Sequence, residues 1–150
     1  MSLQNLGPTI RSLRDSGVTT NTVDYVVGNI FPTNPPENAW CLNWAQIIYS
    51  SAGAGNRIIE MQILDENLNQ LISITSSVTQ AGGLVRTYKF IIGNFRESAF
   101  SNNTIQLPMP AETFLLNSYT LRFVDINNID VNDSMVVSFQ FKQYFNLKGD

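Results

Sequence analysis

A chain of 150 residues with 43% apolar side chains can bury a core of its own in one domain; its single cysteine and complete lack of histidine exclude an intrachain disulfide, a cysteine-built zinc site and any triad that needs an imidazole. A formal net charge of −3, with nine basic residues scattered from Arg11 to Lys148, excludes the basic footprint of a nucleic-acid or anionic-membrane binder. Only 14% of the residues are charged, against about 25% in typical soluble domains, so Asn, Ser, Thr and Gln finish the surface and much of it is expected to meet other protein.

Residues 1–36 read as an N-terminal arm with a Pro-rich linker, and residues 37–150 as the folded domain. Within the arm, residues 1–22 are polar, and the spacing of Leu6, Ile10 and Leu13 would place three apolar side chains on one helical face. Gly7-Pro8 interrupts any long helix there, so the expectation is an extended or partly helical arm. No charged and apolar leader is visible at the start, and no run approaches the roughly 18 apolar residues of a membrane span. The reading is a soluble protein made in a cytoplasm. Residues 23–31 are apolar and β-rich, and Pro32, Pro35 and Pro36 then end the segment as an edge strand or the distal part of the arm.

Beyond Pro36 strand and turn signals recur at short spacing. Residues 40–50 predict a near-continuous apolar strand, and Ser51-Ala-Gly-Ala-Gly-Asn56 a small-residue loop. Residues 57–65 predict a strand with Ile59, Met61 and Ile63 on one face and Glu60 and Gln62 opposite, followed by a hairpin into residues 71–77. Gln80-Ala-Gly-Gly83 turns the chain into residues 85–93, where Tyr88, Phe90 and Ile92 alternate with Thr87 and Lys89. An irregular stretch over 97–103 leads to a short strand at 104–107 that Pro108-Met-Pro110 is expected to stop.

The clearest pattern comes last. Tyr119, Leu121 and Phe123 alternate with Thr120 and Arg122; Met135, Val137, Phe139 and Phe141 alternate with Ser138, Gln140 and Lys142. The count of seven or eight strands, with turn signals every ten or so residues, predicts an all-β protein. Its architecture is an antiparallel two-sheet sandwich, jelly-roll-like, with an extended N-terminal arm.

Without histidine, carboxylates are the remaining acid–base candidates, and the nearest set is Asp125, Asp130 and Asp133. Each stands beside Asn in a turn, where these residue types serve the local backbone. As a calcium loop, Asp125, Asn127, Asp130, Asn132 and Asp133 offer hard oxygens, but Asp130 stands where an EF-hand needs Gly and Val136 where it needs Glu. The 52–56 loop lacks the Lys-Ser/Thr ending of a phosphate cradle. Cys41, between Trp40 and Leu42, reads as a buried small hydrophobe. Trp40, Trp44, Tyr49, Tyr88 and Tyr119 fall within strands, where core packing is their ordinary use. No catalytic group, cofactor or metal site is expected.

Ile105-Gln-Leu-Pro-Met-Pro110, Tyr119-Thr-Leu-Arg-Phe-Val-Asp125 and Asp130-Val-Asn-Asp-Ser-Met-Val-Val-Ser138 together resemble the C-terminal strands of the small jelly-roll decoration, or cement, proteins of tailed-bacteriophage heads. That resemblance implies a non-enzymatic virion protein, made in the host cytoplasm. It would bind the major capsid protein on the capsid exterior as a homotrimer and stabilise the shell, with no nucleic acid or membrane as partner. Leu3, Leu6, Ile10 and Leu13 are then the expected arm contacts with the shell. A second class stays open, a carbohydrate- or receptor-binding β-sandwich module of a virion fibre, which predicts at least two aromatic rings exposed on one loop or sheet face.

Overall fold

The computed structural model describes residues 9–30, 38–101, 103–127 and 129–145. They form eleven strands and one short helix: β1 (Thr9–Thr19), β2 (Thr22–Val26), α1 (Val27–Ile30), β3 (Asn38–Ser50), β4 (Ile59–Leu64), β5 (Gln70–Thr75), β6 (Val85–Ile92), β7 (Ser98–Ser101), β8 (Thr104–Met109), β9 (Phe114–Leu116), β10 (Thr120–Asp125) and β11 (Ser134–Phe145). One sheet runs β1-β11-β3-β6-β8-β7, with β9 also paired to β3, and the other runs β2-β10-β4-β5.

The order β1-β11-β3-β6 facing β2-β10-β4-β5 is that of a jelly roll, in which the chain passes repeatedly from one sheet to the other. β7, β8 and β9 are an insertion between the sixth and seventh strands of that plan. The alternation read from the sequence is what closes the sandwich: Leu121 and Phe123 of β10, and Met135, Val137, Phe139 and Phe141 of β11, are all buried in one core. Rings meet across the two layers, Tyr25 of β2 lying 5.1 Å from Phe139, and Phe90 of β6 6.1 Å from Phe123. Such edge-on and tilted arrangements suit the ring quadrupole.

The expected arm is where the structure departs most from the sequence reading. Residues 9–19 pair with β11 along nearly their whole length, and residues 22–26 pair with β10. The segments are edge strands of both sheets, so the sandwich begins well before residue 37. The polar composition of residues 9–19 is that of an edge, which buries only a few inward side chains. The helical spacing was misleading for the same reason. A separation of three puts Ile10 and Leu13 on opposite faces of a strand: Ile10 registers with Lys142 and Leu13 with Phe139. β1 also bulges between Asp15 and Val18, where Gly17 takes φ +81°.

The remaining differences concern the insertion and the end of β2. The 97–103 stretch contains β7, and 114–116 forms β9, too short for periodicity to reveal. β8 pairs with β6 in parallel, the exception in an otherwise antiparallel fold. Pro108 does not stop β8, which continues to Met109. The Met109 carbonyl accepts from Gly93 on the β6 side, so the neighbouring Pro108 nitrogen faces away from β6. There β7 has already ended its pairing at Gln106, and no ladder bond is lost. The four residues of α1 follow β2 directly.

Candidate functional site

The loops 51–57, 76–84 and 126–133 meet at one end of the sandwich around a charged residue that sequence reasoning placed at an ordinary strand start. Arg57 is fully buried. Its Nε and Nη2 donate to the two carboxylate oxygens of Asp133 at 2.9 and 3.0 Å, Nη1 donates to the Gly55 carbonyl at 2.6 Å, and Nη2 also donates to the Ala52 carbonyl. The 52–56 loop therefore turns the Ala52 and Gly55 carbonyls onto a cation, which is the opposite of a phosphate cradle. Gly53 and Gly55 make that possible at φ +61° and +103°, a region that residues with a Cβ seldom enter.

Asp133 is also fully buried and accepts further bonds from the Tyr49 hydroxyl at 2.9 Å and the Ala52 amide at 2.6 Å. Burial pushes its carboxyl up, but the bonds from Arg57, Ala52 and Tyr49 outweigh that effect and hold it below the usual carboxylate range. Beside the pair, buried Gln80 donates to the carbonyls of Tyr49 and Leu84 at 3.0 and 2.9 Å and accepts from the Tyr88 hydroxyl at 3.0 Å. The strand hydroxyls thus point their polar tips into this cluster while their rings fill the core.

The sequence-derived candidates are all occupied by such internal work. Asp125 is fully buried and accepts from the amides of Ile58, Asn127 and Ile129 at 3.0, 3.1 and 3.3 Å. Asp130 accepts from the backbone and side chain of Asn132. Asn127 donates to the Asn56 carbonyl. Among the described residues no three His, Cys, Asp or Glu side chains gather as metal ligands. Cys41 is buried, and burial pushes its thiol up, Lys142 pulling it down and Glu112 raising it further. A thiol held in that state is a poor nucleophile.

Loops 51–57 and 76–84 make close backbone contact. A Cβ on Gly82 would lie 1.8 Å from the Gly53 carbonyl oxygen. Gly82→Ala is therefore expected to lower stability by about 2–3 kcal/mol, read as a fall in urea midpoint at unchanged slope. A midpoint equal to wild type would mean that the loops do not touch in solution.

At the opposite end, the outer face of the larger sheet carries a row fixed by register: Ile10 of β1, Lys142 of β11, Cys41 of β3 and Phe114 of β9. The next row outward holds Tyr144, Ala39 and Leu116. Ile10, Phe114, Leu116 and Tyr144 are 49%, 52%, 52% and 38% exposed, and the Phe114 and Tyr144 rings lie 5.9 Å apart. Apolar side chains are exposed at the Arg57 end as well, where Leu84, Val85, Ile126, Ile129 and Val131 surround the loops.

Of the expected arm contacts, Ile10 lies in the exposed row, Leu13 packs inward against the core, and Leu3 and Leu6 lie outside the described residues. Trp40, Tyr49 and Tyr88 are core residues as expected; Trp44 is half-buried on the outer face of the larger sheet and Tyr119 packs at the core margin. Phe114 and Leu116 had no signal beyond their own hydrophobicity, because their strand is three residues long.

No protein-family model and no curated protein matches the chain. Among solved structures it is similar to the infectious bursal disease virus VP2 subviral particle, at 11% identity and a TM-score of 0.24, over 91% of this chain and 29% of that one. The chain thus spans under a third of that protein's length, and a likeness so slight has no bearing on function.

Proposed function

We propose that the protein is a non-enzymatic structural subunit of a virion, a decoration or cement protein that sits as a homotrimer on the outside of a tailed-phage head and clamps neighbouring major capsid subunits. The observation that carries this reading is the pair of exposed apolar surfaces at opposite ends of the strands, Ile10, Phe114, Leu116 and Tyr144 at one and Ile126, Ile129 and Val131 at the other. Isolated exposed hydrophobics are ordinary, whereas grouped ones mark contact surfaces. A clamp needs two such surfaces, one for its own copies and one for the shell. The rigid sandwich between them transmits load, and avidity from three copies multiplies weak contacts. In this reading Leu3, Leu6 and Ile10 contribute to the shell contact.

Light scattering on the full chain tests it, together with cosedimentation with isolated phage heads. The wild type is expected at three times the mass of the chain. Val131→Asp should return a folded monomer, and Phe114→Glu, on the Ile10 side, should stay trimeric but no longer sediment with heads. A wild type that is monomeric at every concentration, or two variants that both behave as wild type, would overturn the proposal.

A further inference from the structure

The outer face of the larger sheet holds a second feature between the two apolar ends. Register sets Gln140, Trp44, Ile91 and Pro108 in one row and Ser138, Gln46, Lys89 and Gln106 in the next. Trp44, Ala45, Gln46, Lys89 and Ile91 line an open depression of about 200 Å³. Beside it the amides are already oriented: Asn43 Nδ2 donates to Gln140 Oε1 at 2.9 Å, and Gln140 Nε2 donates to Ser12 Oγ at 3.2 Å. Among the described residues, the Gln46, Lys89 and Gln106 side chains make no hydrogen bond or ion pair of their own.

A half-buried indole offers a flat apolar face, while neighbouring carboxamides offer a donor and an acceptor side by side. That pairing complements a sugar ring, whose axial C–H groups form an apolar face and whose rim of hydroxyls both donates and accepts. It suits a protein partner poorly, since a stable protein interface takes about 800 Å² from each side around apolar anchors. We propose that this depression is a saccharide-binding site in which Trp44 stacks on the sugar face and Gln46 and Gln140 pair with its hydroxyls. Lys89, the cation of the depression, favours a sugar that carries a carboxylate. The site lies on strands β3, β6 and β11, so it is built on the rigid sheet and needs no loop to close. It does not depend on the assembly reading, because neither apolar end contributes to it.

The two tryptophans make the test direct. Trp40 is fully buried and its Nε1 donates to Asn117 Oδ1 at 2.6 Å, so its indole signal serves as an internal reference. The full chain is titrated with methyl glycosides of glucose, galactose, N-acetylglucosamine and glucuronic acid while both indole N–H signals are followed by NMR. The Trp44 signal is expected to shift saturably, at lowest concentration with the glucuronide in low salt, while the Trp40 signal stays fixed. Trp44→Ala, checked for folding by thermal unfolding, should weaken binding at least about tenfold, equivalent to about 1.4 kcal/mol, as followed on the Gln46 side-chain amide. Lys89→Gln should remove the preference for the glucuronide and leave the neutral sugars unchanged. A Trp44 signal that moves with none of the four sugars, or a Trp44→Ala protein that binds as tightly as wild type, overturns the proposal.

Discussion

Asp133→Ala is expected to lower stability by about 3–5 kcal/mol, the loss that follows when one partner of a buried ion pair is removed. The substitution leaves the Arg57 guanidinium at the sandwich end with only backbone carbonyls for company, and it strands the Tyr49 hydroxyl and the Ala52 amide, both of which donate to the same carboxylate. Urea unfolding at neutral pH reads the effect directly. Replacing both charges by apolar residues of similar volume, Arg57→Met with Asp133→Leu, should cost less than the single change, since no uncompensated charge remains. A single variant as stable as wild type would mean that water reaches Arg57 in solution. The same pair fixes a pH dependence. The folded Asp133 carboxyl titrates below its unfolded value of about 3.9, so its contribution is complete above that value and is lost as pH falls through the folded one. Stability of the wild type should therefore drop on acidification below about pH 4. In Asp133→Asn that part of the acid slope should be missing.

How much of this was legible in the sequence depended on whether the signal was local. β10 and β11 are written in strict alternation, and each apolar residue of that pattern from Leu121 to Phe141 is buried. β3, β4 and β6 were likewise legible, because central strands bury one face along most of their length, whereas β5, an edge strand, was marked by the hairpin connection that leads into it. β1 was not, since an edge strand buries little: its inward set is broken by a bulge and includes Asp15, which is held by the Tyr25 hydroxyl at 2.9 Å. Neighbouring residues could not disclose the Arg57 cluster either. Arg57 and Asp133 stand 76 positions apart, each in a setting that reads as an ordinary strand start or turn, and only the jelly-roll path brings their loops to one end. The outer-face row of Ile10, Cys41, Phe114 and Lys142 has the same character, with each member drawn from a different strand. Turn chemistry predicted where Asp125 and Asp130 serve the backbone; burial of Asp125 and Asp133 is a tertiary consequence that no local spacing encodes.

Deleting residues 1–19 is expected to abolish the folded monomer, contrary to what a detachable arm would allow. The deletion removes all of β1, the partner of β11 from Gln143 to Ser134. It takes Leu13 and Val18 from the margin of the core, and it leaves the Tyr25 hydroxyl without Asp15 although its ring still sits between Phe123 and Phe139. β11 is the longest strand contact in the larger sheet and supplies Phe139 and Phe141 to the interior, so exposing its edge opens a row of unpaired backbone groups beside aromatic residues. Such an edge recruits other chains. Far-UV circular dichroism during heating, with light scattering in parallel, should show loss of the cooperative transition and growth of large species. Deleting only residues 1–8 leaves every described strand in place; that protein is expected to unfold cooperatively like the wild type while no longer sedimenting with phage heads, because it lacks Leu3 and Leu6. A cooperative transition for the longer deletion within a few degrees of wild type would show that β1 is dispensable and that the sandwich closes without its first strand. Loss of the transition in the longer deletion alone places the structural requirement within residues 9–19, the span of β1.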